Sequence, residues 1–469
     1  MKKTKIICSI GPASCNVETM TEMVNNGMNV ARINFSHATL EERKAVVDTV
    51  KEVRKITGKN IAVLYDTKGP EFRNGMLKDG EIILTEGNTI RVVKETVLGD
   101  ETRFSVNHPQ ALESLEIGSV ILLENGLMKI EVISKEEDGV TCKIVSGGVL
   151  GNKKSLNVPG AHLNIPFISE VDKEDLIYAC QHEGDFIALS FVSTKEDVLA
   201  AKEIFKQYDR EDLKIISKIE STTGVENLES IIEVSDGIMV ARGDLGVEVP
   251  MEQLPIVQKM IIQKCREFGK VVIVATEMLE SMKKSIRPTR AEVSDVANAV
   301  LDGTDAVMLS GETTTGKYPV GVVTYMANIC ENTEKYYDYD YVFESSRKSD
   351  ATEAIAHSVV SCADALDTKV IVASTFSGYS ANKISNLKPR NTIIATTPSE
   401  EIRRSLALNW GVEAIVVTKY TSNDEIIETA RKSATKMLNL KAGDNIIVTG
   451  GLHNTTESKE TNFLKIEMI

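Results

Sequence analysis

Polar clusters recur directly after short β-branched runs along the 469-residue chain: Arg32-Ile33-Asn34-Phe35-Ser36-His37, Asp66-Thr67-Lys68, Lys218-Ile219-Glu220, Arg242-Gly243-Asp244, Thr276 and Ser310-Gly311-Glu312. Glu220 and Asp244 offer the hard oxygen ligands that Mg2+ or Mn2+ takes. Arg32, Lys218 and Arg73 add fixed positive charge, and cations beside a divalent ion are the usual equipment for holding and transferring a phosphoryl group. A purely structural network of salt bridges is the competing explanation. It is disfavoured because so many polar strand ends converge on what would be one mouth.

The runs that must position these clusters lie at 5–10, 30–35, 61–65, 186–191, 214–219, 237–241, 271–275 and 305–309, separated by longer amphipathic stretches. Strands apolar on both faces, alternating with helices over this length, predict a (β/α)8 TIM barrel. Between the third and fourth runs, 81–87, 89–95, 119–126 and 140–148 are strand-like and separated by glycine turns. They predict a small β-barrel lid domain inserted over the C-terminal face. Beyond a polar, aromatic stretch at 334–350, read as a linker or peripheral helix, a helix at 351–366 and strands at 369–374, 391–396, 413–418 and 445–449 predict a doubly wound α/β domain. The division expected is 1–68 with 164–340 for the catalytic barrel, 69–163 for the lid and 341–469 for a regulatory C-terminal domain.

Composition narrows the partners. A net charge of −14 excludes nonspecific nucleic-acid or anionic-membrane binding, although a few focused cations still suffice for phosphates. The seven cysteines form no C-x-x-C pair, which points to reduced thiols rather than disulfides or zinc. The apolar run before Gly11-Pro12 is too short for a signal peptide or membrane span, so a cytoplasmic location is expected. Two motif matches are rejected. Residues 311–317 approach a P-loop but place Tyr318 where Ser or Thr is required, and Arg242-Gly243-Asp244 reads as site chemistry rather than an adhesion tripeptide. His37 would either touch a nucleotide or pair locally.

The strings KIICSIGPAS, GMNVARINFSH, YDTKGPEFR, IISKIE, SDGIMVARGDLGVEVP, VIVATEMLESM and RPTRAEVSDVANAVLDGTDAVMLSGET, colinear from Lys5 to Gly316, resemble the pyruvate kinase family. The resemblance implies phosphoenolpyruvate, ADP/ATP and pyruvate as substrates and products, with Mg2+ (or Mn2+) and K+ as cofactors. It implies Glu220 and Asp244 as divalent-ion ligands, and Asn34, Ser36, Asp66 and the Thr67 carbonyl as the potassium site. Lys218, Arg32 and Arg73 would neutralise the phosphoryl group, while Gly243, Asp244 and Thr276 would hold the substrate carboxylate. Thr276, with a water chain near Ser310 and Glu312, would serve protonation of enolpyruvate. Arg73, Lys154, His37 and Asn34 would face the nucleotide. Glu71 is the residue that potassium-dependent members carry. A homotetramer with a phosphorylated allosteric effector would complete the picture, the effector held by Thr375, Ser377, Gly378 and Ser380, where a strand leads into a helix. An ordinary helix cap uses the same residues.

Some positions depart from the family pattern. Asn125 stands where a second aspartate is usual, Thr223 where an acidic residue is common and Glu277 where Gln is usual. Segment 450–462 also departs from the usual effector-closing loop. Glu220 and Asp244 alone would equally fit another metal-dependent barrel acting on enolates, but the cation cluster and lid favour the kinase. A non-catalytic metabolite sensor fits poorly with intact Lys218 and Thr276.

Overall fold

The computed structural model describes residues 2–339, 350–420, 422–451 and 461–469. Eight parallel strands, β1 (Lys5–Ser9), β2 (Val30–Asn34), β3 (Ala62–Asp66), β4 (Phe186–Leu189), β5 (Lys214–Ile219), β6 (Gly237–Ala241), β7 (Val271–Ala275) and β8 (Ala306–Leu309), close in sequence order, β8 pairing back on β1. Because side chains alternate along a strand, each strand feeds two cores. Ile33, Tyr65, Ile187 and Ile219 pack outward against the helices. Val30, Leu64, Ala188 and Ile216 fill the barrel interior. The intervening helices are started by reciprocal caps, Thr39 with Glu42, Ser169 with Asp172 and Thr289 with Glu292, which satisfy the first free amides and fix where each helix leaves its loop.

The inserted strands share one apolar core. They form a six-stranded sheet and a separate antiparallel ladder of Glu81–Leu84 with Gly148–Gly151, rather than one continuously hydrogen-bonded ring. At Gly147 the chain passes close to the first strand of that ladder: a Cβ on it would lie 2.2 Å from the Leu84 carbonyl oxygen, an approach that only glycine permits. Asn157 of the insert donates to Glu248 at 3.0 Å, tying it to the barrel's mouth.

In the C-terminal part, β9 (Val370–Ser374), β10 (Thr392–Thr397), β11 (Val412–Val416), β12 (Asn445–Gly450) and β13 (Phe463–Met468) run in the order β11-β10-β9-β12-β13, with β13 antiparallel. Helices Ala351–Ala365 and Tyr379–Asn386 cover one face and Asn423–Leu438 the other, as a doubly wound domain requires. Ala407 and Leu408 project from this part into the inner barrel core and close the barrel's base. The expected linker falls partly on the end of helix Pro319–Glu334; its residues 340–349 lie outside the described residues, as do 452–460 of the departing loop. Segment 311–317 forms a short helix, Gly311–Thr314, and a turn closed by the Gly316 amide on the Gly311 carbonyl. No described helix is long and apolar enough to cross a membrane.

Candidate active site

At the C-terminal end of the barrel the inward positions change from apolar to polar with the strand period. Val30 is followed by Arg32, Leu64 by Asp66, Ala188 by Ser190 and Ile216 by Lys218. The strand register therefore carries these side chains into one mouth, a cleft of 420 Å³. There they interlock. Asp66, 1% exposed, accepts from Arg32 Nε at 2.7 Å and from Lys218 Nζ at 3.1 Å. Lys218 also lies 3.0 Å from Glu220 and donates to Ser190 Oγ at 2.7 Å. Glu220 accepts from the Phe191 amide at 2.6 Å, and Arg32 donates to Ser9 Oγ at 2.7 Å.

Burial and pairing set the charges. Burial opposes ionisation of Asp66, but Arg32 and Lys218 hold its carboxyl below the ordinary value. Burial would likewise lower Lys218, yet Asp66 and Glu220 keep its ammonium above the ordinary value. Glu220 is pushed up to about 7 by burial, with Asp244 adding repulsion against the pull of Lys218. Burial also raises Asp244, whose carboxyl meets that of Glu220. A buried and a half-buried carboxylate in contact, both resisting ionisation, are the arrangement a divalent cation relieves. Among the described residues no group of three or more His, Cys, Asp or Glu is placed to hold a metal, so this pair is what the chain offers.

Thr276, one residue past β7, has φ +68°, a left-handed conformation unfavourable for a β-branched residue by about 1–3 kcal/mol. Its surroundings enforce it. Gly243 N–H donates to Thr276 Oγ1 at 2.9 Å, the hydroxyl donates to the Ala275 carbonyl at 2.6 Å, and Arg242 holds the Thr276 carbonyl at 2.6 Å. Arg242 is itself fixed by Asp295 at 2.7 Å.

Arg32, Asn34, Ser36, His37, Asp66, Thr67, Arg73, Lys218, Glu220, Asp244 and Thr276 all line the cleft, and Gly243 adjoins it through Thr276. Asn34 Oδ1 accepts from the Ser36 amide at 3.0 Å, and Ser36 and His37 form the exposed rim. Arg73 is bound bidentately by Glu71 at 2.7 and 2.9 Å. Other expected residues stand apart. Glu312 is fully buried behind the cleft, its oxygens accepting from the Leu279 and Ser310 amides at 3.1 and 2.7 Å, and burial raises its carboxyl above the ordinary value. Neither it nor Ser310 is on the wall. Lys154 turns to Glu124 at 2.6 Å, and Lys153 lines the cleft instead. Asn125 sits at φ +57°, in a left-handed turn that Asn tolerates well.

Sequence reasoning missed Ser190, the Phe191 amide and Ser9. The signal for Ser190 is the strand period itself, which places it above Phe186 and Ala188. In the C-terminal loop, Thr375 Oγ1 accepts from the Gly378 amide at 2.9 Å and Ser377 Oγ from the Tyr379 amide at 3.4 Å. Gly378 has φ +82°, and the buried Ser380 hydroxyl pairs with Thr461.

Comparison with known proteins gives the family. Residues 1–323 match the family model described as "Pyruvate kinase, barrel domain" and residues 353–467 the one described as "Pyruvate kinase, alpha/beta domain". The chain is 43% identical to a pyruvate kinase of Clostridium perfringens, covering 100% of both chains. It is also 43% identical to one of Bacillus licheniformis, covering 100% of this chain and 81% of that relative. A crystal structure of a pyruvate kinase from Cryptosporidium parvum superposes with a TM-score of 0.94 at 38% identity, covering 100% of this chain and 96% of that one. With both family models matched in order and a full-length relative at this identity, the chain belongs to the pyruvate kinase family and is a phosphotransferase.

Proposed function

We propose that the chain moves the phosphoryl group of phosphoenolpyruvate to ADP, giving ATP and pyruvate, with Mg2+ or Mn2+ and K+. The observation that carries the reading is Lys218. Its ammonium is buried, fully ionised and held by Asp66, Ser190 and Glu220 beside Arg32. Pre-set positive charge at a buried point is what a transferring phosphoryl group requires.

In this scheme Arg32 and Lys218 neutralise the phosphoryl oxygens from the barrel side, and Arg73 does so from the base of the lid. Thr276 and the amides at Gly243 and Asp244 orient the carboxylate of the three-carbon acid. A divalent ion held by Glu220 and Asp244 supplies further charge neutralisation. Asn34, Ser36, Asp66 and the Thr67 carbonyl form a set of oxygens suited to K+, and Glu71 in place of a lysine leaves that charge to be supplied by the ion. Thr276 orients the water that delivers a proton to enolpyruvate, since an aliphatic hydroxyl is too weak an acid to do so alone. Ser310 and Glu312 hold the strand-end backbone behind it. Arg73, His37 and Asn34 face the nucleotide, with Lys154 reaching it once released from Glu124. The insert, 69–163, closes over the barrel of 1–68 and 164–340 and limits access of water. A cytoplasmic homotetramer, regulated by a phosphorylated effector near Thr375, Ser377, Gly378 and Ser380 in the unit 341–469, completes the proposal.

A lactate-dehydrogenase-coupled assay tests it. Pyruvate should form only with phosphoenolpyruvate, ADP and Mg2+ together, and faster with K+. No pyruvate would refute the reaction, and equal rates with and without K+ would refute the potassium site.

A further inference from the structure

The loop after β2 carries Asn34, Ser36 and His37 to the cleft, and a cation behind the loop holds it in place. Phe35, between the first two, is buried away from the cleft, as alternation along an extended chain requires. Its amide donates to the Asp66 carbonyl, at the end of β3, at 2.9 Å. Its carbonyl accepts from Arg43 Nη2 at 3.2 Å, and Arg43 Nε donates to the Ala38 carbonyl at 3.1 Å. The guanidinium carbon also lies 3.7 Å from the centre of the Phe35 ring. One side chain therefore grips the loop at Phe35, at Ala38 and through an aromatic face.

Arg43 stands close to the start of the helix Leu40–Thr57 and is 7% exposed. A cation near a helix N-terminus works against the helix dipole, and a buried one needs a counter-charge. Asp175, 6% exposed, supplies it to Nη1 at 2.6 Å, so all three guanidinium nitrogens are engaged. A lysine, with one nitrogen, does not reproduce this planar fork on a carboxylate and two carbonyls. Asp175 belongs to the helix Glu170–Gln181, which receives the chain as it returns from the insert. Three residues earlier, Asp172 accepts from the Gly69 amide at 2.9 Å and from the Ser169 amide at 3.1 Å. The same turn thus pins the chain where it leaves for the insert and where it comes back, and the rim loop and the root of the insert are fixed to one element.

We infer that Arg43, held by Asp175, is a positioning residue for the proposed potassium and nucleotide rim. It sets the separation between Asn34 and Ser36 on the β2 loop and Asp66 and Thr67 at the end of β3. Contacts that orient ligand oxygens from behind govern how tightly an ion is held, and here a single guanidinium makes several of them. The kinetic consequence rests on the proposed potassium and nucleotide sites, the clamp on the contacts alone.

Steady-state kinetics of Arg43→Lys and of the double variant Arg43→Met/Asp175→Leu, with amide hydrogen exchange over residues 34–38, test the assignment in the full chain. The double variant leaves neither charge buried without its partner, so a shift in its kinetics does not arise from an uncompensated ion. In both variants the K+ concentration for half-activation should rise roughly tenfold and KM for ADP several-fold. The turnover at saturating K+ and KM for phosphoenolpyruvate should stay within about twofold of wild type, and the Phe35, His37 and Ala38 amides should exchange faster. Arg43→Lys keeps the positive charge beside Asp175, so wild-type dependence on K+ and ADP in that variant would overturn the positioning role. A fall in turnover with neither constant changed would do the same, and unchanged exchange over 34–38 in the double variant would overturn the clamp. If the wild-type chain ignores K+ while exchange quickens and KM for ADP still rises in the variants, the clamp stands and the potassium site fails.

Discussion

The two ends of the barrel both bury charge, but they connect it differently. At the mouth, Arg32, Asp66, Lys218, Glu220 and Asp244 come from separate strand ends and face an open cleft. At the base, charges bind domain to domain: Lys388, 1% exposed, is paired with Asp305 just before β8 and lies 5.1 Å over the Trp410 ring. Arg404 likewise meets Asp185 at 2.7 Å, and within the barrel Glu334 accepts from the Lys3 and Thr4 amides at 2.8 and 2.7 Å. A network open to a cleft can be completed by a ligand, whereas one closed on its own chain is completed by folding. Mutations at the mouth should therefore cost activity, and those at the base should cost stability.

The sharpest break of that contrast is Glu220→Gln. It keeps the shape but removes a proposed ligand charge, and kcat/KM should fall roughly 10²–10³-fold. Because the buried Glu220 adjoins the half-buried carboxyl of Asp244, the thermal midpoint of the metal-free protein should not fall. Unchanged activity with a large loss of stability would reverse the assignment.

Lys388→Met should do the opposite. Removing one member of a buried ion pair leaves Asp305 uncompensated and should cost about 3 kcal/mol, read from the first thermal transition, with activity at 25 °C near wild type. The pair also predicts a pH trend. Burial lowers Lys388 to about 8 from an unperturbed 10.5, against the pull of Asp305. Between those values the unfolded chain binds a proton that the folded one has released. This group's contribution to stability therefore rises with pH in that window, and the gap between wild type and Lys388→Met should widen there.

The smallest effect expected is that of Ser190→Ala. The Ser190 hydroxyl donates to the Thr67 carbonyl at 2.7 Å while accepting from Lys218, so it joins the proposed potassium oxygens to the lysine proposed to hold the phosphoryl group. Loss of such a supporting contact should lower kcat roughly tenfold and raise the K+ concentration needed for half-activation, with KM for ADP little changed. A change confined to stability would make Ser190 merely structural.

These residues also mark where the sequence could be read and where it could not. The barrel strands were legible because strands buried on both faces carry unbroken apolar runs, and every one of the eight lies within a residue or two of its expected place. Charged residues at their ends announced the mouth for the same reason: charge at the end of a buried strand needs a partner or a ligand. Ser190 and Ser9 carry no charge, and an amide such as that of Phe191 carries no sequence signal at all. Lys153 rather than Lys154 lines the cleft because Lys154 is held by Glu124, a pairing between residues thirty apart that the sequence does not announce. Glu312 follows a strand end as the other charged residues do, and that its carboxyl accepts from two backbone amides behind the cleft is a contact the sequence does not announce. In the lid, alternating patterns located strands but not their pairing, which joins strands far apart in sequence such as Glu81–Leu84 with Gly148–Gly151.

The central claim is that a pre-ionised, buried Lys218 stabilises the phosphoryl group in transfer. Single-turnover and steady-state rates of Lys218→Met, with phosphoenolpyruvate binding measured in parallel, test it most directly. The account predicts a loss of at least roughly 10³-fold in phosphoryl transfer, with metal-dependent phosphoenolpyruvate binding retained. Turnover close to wild type would contradict it.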